Sequence, residues 1–137
     1  MRLFVDANVL VAVLNKEYPA FTYAARVLSL ADHPSFEVWT SPVCLAIAFY
    51  FSEKKSGTKQ AKSKLMGLCE KIRITSTDHK VVINALENTK VLDFEDGIEY
   101  YSALDARCKH IITEDGDDFY YSEIPVSNCE IFLMQHF

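Results

Sequence analysis

Leu3-Phe4-Val5-Asp6-Ala7-Asn8 is an apolar run of β type that delivers a carboxylate to its carboxyl end, and a helical pattern starts directly behind it. In an open α/β sheet that position is where ligands bind, outside the ends of the strands. Asp6 can serve there as a metal ligand, a nucleophile or a general base, and the opening of the chain leaves all three available. Its partners have to come from the rest of the sequence.

Outward from this stretch, short apolar runs alternate with helical patterns, which is the arrangement of βαβ units around a largely parallel sheet. A first strand over residues 2–6 is followed by a short helix, Asn8 to Leu14, and a turn carrying Glu17, Tyr18 and Pro19. Phe21 to Leu30 places Phe21, Ala24, Ala25 and Leu28 at helical spacing, and Phe36 to Thr40 reads as the second strand. Ser41-Pro42 then starts a helix, because serine caps orphan amides and proline is already set for the first helical position. Val43 to Phe51 is apolar almost all round, so burial is expected, with a second subunit as one covering surface. Glu53 to Lys64, with its five lysines around Gly57, reads as an exposed turn into another helix, a solvated face in preference to an RNA-contacting patch. Ile72 to Thr75 is a short strand and Asp78 to Asn88 a helix. The expected fold is a three-layer α/β/α sandwich with a central, mostly parallel sheet of four to five strands.

At 137 residues, 50% of them hydrophobic, the chain suits one domain spanning 1–137 with a core of its own. No segment approaches the roughly 20 apolar residues of a membrane span, so a soluble, cytoplasmic protein without membrane partners is expected. Cys44, Cys69, Cys108 and Cys129 are widely spaced and read as reduced thiols. The net charge of −5 argues against holding nucleic acid mainly by a basic surface. A metal-bridged contact with a phosphodiester is compatible with it.

Two further acidic elements follow. Asp93-Phe94-Glu95-Asp96 opens a helix that runs through Ile98, Tyr101, Leu104 and Cys108, and taken alone it reads as a capping device. Lys109 to Thr113 is a strand that runs into Glu114, Asp115, Gly116, Asp117 and Asp118, which a loop could carry for conformational reasons alone. Right-handed crossovers, however, bring the carboxyl ends of parallel strands to one edge, which places Asp6 and Asp115 together. Asp96 joins them only if the start of its helix is turned toward that edge. Carboxylates held so close either take up protons or hold a cation. Oxygen ligands without Cys or His favour Mg²⁺ or Mn²⁺, suited to activating water against a phosphodiester.

These motifs, with Thr40-Ser41-Pro42, Tyr100, Tyr101, Ala103 and Ile124-Pro125-Val126, resemble in order and spacing the PIN domains. Many of those are metal-dependent ribonucleases and toxins of bacterial toxin–antitoxin pairs. The resemblance implies that Asp6, Asp96 and Asp115 are the catalytic and metal-binding acids, that Asn8 and Thr113 support them, and that Asp118 holds the loop or serves as an alternate ligand. It implies an RNA substrate, Mg²⁺ or Mn²⁺, and an antitoxin protein as partner, and a homodimer is consistent with the apolar helix. One position departs: PIN nucleases usually carry a glutamate in the helix after the second strand, where this chain has Leu45-Ala46-Ile47. Glu53 is no simple replacement, since six residues turn a helix through roughly 600°. A degenerate module that binds protein or RNA is therefore the alternative to a nuclease. A phosphoaspartyl enzyme using Asp6 as nucleophile is the weaker third reading, because there is no second acid beside Asp6 and no convincing lysine.

Overall fold

The computed structural model describes all 137 residues. In chain order, Arg2–Val5 forms β1, Ala7–Leu14 α1, Ala20–Ser29 α2, Glu37–Thr40 β2, Pro42–Ser56 α3 and Thr58–Cys69 α4. Arg73–Ile74 (β3), His79–Glu87 (α5), Phe94–Asp105 (α6), His110–Ile112 (β4), Val126–Ser127 (β5) and Cys129–His136 (α7) complete the chain. The sheet has five strands in the order β3-β2-β1-β4-β5, and every pairing is parallel. Leu3, Phe4 and Val5 are all fully buried, as are Ile111 and Ile112. Unbroken apolar runs of this kind belong to strands covered on both faces, which explains why β1 shows no alternation.

The strand order sets the position of the site. From β1 the chain steps outward through β2 and β3, then returns to place β4 against the other side of β1. The carboxyl ends of β1 and β4 are therefore neighbours at the switch point of the sheet, where side connections diverge and leave a crevice. Val5 pairs with Ile112, and the Asp6 amide donates to the Ile112 carbonyl at 3.0 Å. Asp6 and Thr113 thus leave the sheet side by side.

Two regions differ from expectation. The helix after β2 is not buried all round: only Cys44, Ala48 and Ser52 are, while Tyr50 and Phe51 are 54% and 46% exposed. α3 packs on α1 and α4 along this stripe of three small side chains spaced four residues apart, which admits close approach and leaves the large aromatics outside. The basic stretch is largely exposed and does turn into another helix, but the turn is the single residue Gly57. α3 continues to Ser56, and Gly57, at φ +82°, supplies the left-handed turn into α4. Lys55 donates to the Asn15 carbonyl and Lys64 to the Leu14 carbonyl (3.2 Å), so these two cations satisfy the C-terminal carbonyls of α1. β5 and α7 have little sequence signal, the first because it is two residues long. No helix is long and apolar enough to cross a membrane.

α6 carries three of the cleft acids and is set by its packing on α5. A Cβ on Gly97 would meet Val91 Cγ1 at 2.6 Å and Ala85 Cβ at 3.2 Å, so the two helices approach as closely as they do only because this residue has no side chain. Gly97→Ala gains about 1 kcal/mol of helix propensity and incurs overpacking of about 1–3 kcal/mol. A net loss of about 1 kcal/mol is expected, read as a lower midpoint in urea unfolding with the slope unchanged. An unchanged or higher midpoint would show that Val91 yields without cost.

Candidate metal centre

Asp6 is the N-cap of α1 and the hub of the site. Its Oδ1 accepts the Ala7 amide at 2.7 Å, and its Oδ2 accepts the Thr113 hydroxyl at 2.7 Å. The Cys44 thiol on α3 points at the same Oδ1 from 3.9 Å. The Thr113 oxygen, having given its proton to Asp6, accepts from Asn8 Nδ2 and from the Asp115 amide, both at 3.1 Å. That uses its full hydrogen-bonding capacity. Asn8 also donates to Asp115 Oδ2 at 3.3 Å and accepts the Glu114 amide at 3.2 Å. Side chains at the start of α1 and the end of β4 thereby tie the acidic loop to the edge of the sheet.

From the other side, Asp93 caps α6 by accepting the Asp96 amide at 3.1 Å, which is the capping role its spacing suggests. The first turn of α6 then faces Asp6 across a cleft of about 370 Å³. Asp6, Asp96, Asp115 and Asp118 all line it, with Asn8 beside them and Thr113 buried beneath Asp6. The helix start is thus turned toward the sheet edge, and the residues singled out in the sequence do come together. Glu17, Glu95 and Glu99 line the same cleft, and no lysine, arginine or histidine does. Without a lysine the phosphoaspartyl reading loses its remaining support. Ile47 lines the cleft as well, at the place where a further acid was expected, whereas Glu53 points away and accepts a hydrogen bond from Thr58 at 2.8 Å.

Glu99 is the acid that reading the sequence missed. It stands three residues after Asp96 and four after Glu95, so all three lie on one face of α6. That spacing was the available signal, obscured because Glu99 sits between apolar Ile98 and Tyr100 in a stretch that reads as core. It is 1% exposed and its Oε2 has no hydrogen-bond partner.

The electrostatics follow from this crowding. Burial, then the charges of Asp93, Asp118, Asp6 and Glu95, push the Asp96 carboxyl up to about 7. Burial and the neighbouring Asp6 push Glu99 up to about 10. Partial burial and adjacent carboxylates also raise Asp118 and Glu95, and burial among acids raises the Cys44 thiol well above its ordinary value. The chain's ion pairs, Arg2–Glu37, Arg73–Glu37 and Lys71–Asp32, all lie elsewhere. The donor set is one that a hard divalent cation fits: carboxylate oxygens, no internal cation, and an orphaned buried oxygen on Glu99. One ligand atom each from Asp6, Cys44 and Glu99 lie within 4.8 Å of one another.

A family model for the PIN domain matches residues 2–117. The chain belongs to the PIN-domain family. Solved structures similar to this PIN domain include VapBC2 from Rickettsia felis bound to a DNA fragment from its promoter, at TM-score 0.71 and 18% identity over 93% of this chain and 98% of that one. VapBC-1 from nontypeable Haemophilus influenzae is similar at TM-score 0.73 and 16% identity, covering 95% and 99% of the two chains. Mycobacterium tuberculosis VapC20, a toxin that cleaves the sarcin-ricin loop, is similar at TM-score 0.69 and 17% identity, covering 88% and 95%. At these identities the likeness is one of fold, and it agrees with the parallel α/β/α architecture of this PIN domain. A comparison of the sequence with curated proteins finds no match.

Proposed function

We propose that this PIN domain, acting as one unit over residues 1–137, is a divalent-metal-dependent ribonuclease that hydrolyses RNA phosphodiester bonds. The observation that carries the reading is the convergence of Asp6, Asp96 and Asp115 on one cleft that holds no basic side chain. Those three carboxylates would hold Mg²⁺ or Mn²⁺. The bound cation would supply a nucleophilic water at neutral pH and offset the charge on the scissile phosphate. Asp6 is held to a single orientation by the Ala7 amide and the Thr113 hydroxyl, so its position does not have to be found anew when RNA arrives. Asn8 fixes Asp115 in the same way, and Asp118, in the 3-10 turn Gly116–Phe119, closes the loop by donating its backbone N–H to the Asp115 carbonyl at 3.1 Å.

Since the chain carries −5 overall and its cleft is acidic, RNA is held through the cation at the scissile phosphate and not by a basic groove. A toxin's place in the cytoplasm, paired with an antitoxin protein, is the corresponding cellular reading, supported by the similar VapBC structures. The exposed Tyr50 and Phe51 on α3 are the surface such a partner or a second copy of the chain would cover. The test is direct: purified protein cleaves structured and single-stranded RNA with Mn²⁺ and stops when EDTA is added. Absence of cleavage across a range of substrates with Mn²⁺ present rejects the reading.

Ile47 favours a second reading, a module that retains the fold and binds a partner after losing catalytic competence, because an aliphatic side chain lines the cleft among the acids. Ile47→Glu separates the two. A large gain in Mn²⁺ affinity and cleavage supports degeneration at this position, and no gain counts against it.

A further inference from the structure

We infer that Glu99 is a ligand of the divalent cation, supplying from α6 the carboxylate that α3 does not supply at Ile47. The inference rests on the proposed metal dependence and assigns a residue to it. Three observations carry it, each separate from the acidity of the cleft. Glu99 is 1% exposed, and a buried carboxyl is normally matched to a cation or a set of donors. Its Oε2 accepts no hydrogen bond, its carboxyl meeting only the Asp6 carboxylate and the Cys44 thiol, while the Thr113 oxygen beside Asp6 is fully used by Asp6, Asn8 and the Asp115 amide. And it is not buried in the apolar core: it lines the cleft, with a ligand atom within 4.8 Å of one on Asp6.

Geometry explains why this position can replace the other. Asp96 and Glu99 stand one helical turn apart on α6, so a cation between Asp6 and α6 can be reached by both, the nearer through a short stem and the deeper through a longer one. Ile47 lines the same cleft and, being aliphatic, offers Glu99 no hydrogen bond from the side of α3. Cys44, the third member of the close group, points its thiol at Asp6 from 3.9 Å, and as a donor there it would leave the ion to oxygen ligands, which favour Mg²⁺ or Mn²⁺ over Zn²⁺.

Glu99→Gln tests this, because the amide keeps the shape and removes the charge. Mn²⁺ affinity is measured on the full chain by the electron paramagnetic resonance signal of free Mn²⁺ and by the thermal shift on Mn²⁺ addition, beside wild type, Asp6→Asn and Cys44→Ser. Expected are binding weakened by about ten-fold or more in Glu99→Gln, a thermal shift reduced to match, and a metal-free melting temperature close to wild type. Equal Mn²⁺ affinity in wild type and Glu99→Gln overturns the inference alone, provided Asp6→Asn has lost binding. A wild-type protein that binds no Mn²⁺ overturns both the inference and the metal-dependent reading. Preference for Zn²⁺, lost in Cys44→Ser and kept in Glu99→Gln, overturns the assignment in favour of the thiol. Should Glu99→Gln fail to fold, Glu99→Asp takes its place: weaker Mn²⁺ binding is expected from the retracted carboxylate, and unchanged binding overturns the inference.

Discussion

Asp6→Asn is expected to abolish RNA cleavage while leaving the protein folded. Outer-shell partners of a metal typically affect affinity or activity by 10–100-fold, so loss of the ligand they orient should reduce cleavage by about 100-fold or more. The fold should survive because asparagine caps a helix as well as aspartate, keeping the bond to the Ala7 amide. Two opposing terms act on stability. The new amide faces the Thr113 hydroxyl, which already accepts two hydrogen bonds, and this mismatch costs about 1 kcal/mol. Removal of one negative charge from beside Asp96 and Glu99 offsets it, since the charge of Asp6 is among the causes that raise both carboxyls. The metal-free melting temperature should therefore move little, while the thermal shift produced by Mn²⁺ disappears. A variant that still cleaves at the wild-type rate would remove Asp6 from the chemistry, and one that unfolds would make it structural first.

The second large effect is a stability that declines with rising pH when metal is withheld. In the folded chain Asp96 titrates at about 7 against an ordinary 3.8, and Glu99 at about 10 against 4.5. Both carboxyls keep protons that the unfolded chain has already released, so their contribution is fully present near pH 4. It is lost for Asp96 as pH rises to 7 and for Glu99 as pH rises toward 10. Each retained proton is worth about 1.4 kcal/mol per pH unit. His110 acts in the opposite sense below its ordinary 6.5, because burial lowers it to about 4 and the unfolded chain holds the proton. It cancels about one of the two carboxyl slopes in that range. The net expectation in EDTA is a melting temperature that falls from pH 5 to pH 8, most steeply between about 6.5 and 7. Asp96→Asn should flatten the profile up to pH 7. A melting temperature that is level or rises across this range would mean that the carboxyls are not crowded as described.

How far this could be read without coordinates varies by element. The parallel α/β class was legible because β1 and β4 are buried on both faces, which demands the unbroken apolar runs Leu3–Val5 and Ile111–Ile112 that local composition displays. Caps were legible for the same reason of locality: Asp93 and Ser41 each bond an amide three residues on, and the two partners are never far apart in the chain. The extent of burial on α3 was not, because an apolar surface says only that a helix could be covered, and which stripe is covered depends on α1 and α4. The fate of Lys55 and Lys64 was hidden likewise, since their acceptors, the Asn15 and Leu14 carbonyls, lie 40 and 50 residues away respectively.

The site divides along the same line. Asp6 and Asp115 follow the ends of strands that the chirality of parallel crossovers collects on one edge, whereas Asp96, which alone reads as part of a cap, joins the set only through the resemblance to PIN domains. Glu99 has no such marker. It is set in the middle of α6, amid residues that read as core, and local sequence cannot distinguish a helix face that meets a hydrophobic layer from one that meets a cleft. That difference is made by the rotation of α6 on α5, which Gly97 permits by having no side chain between Val91 and Ala85. Short-range order and the acids at element ends belong to the chain read in line. The depth of the cleft, the burial of Glu99 and the raised carboxyls come from packing alone, because desolvation and charge repulsion exist only once segments remote in sequence are pressed together.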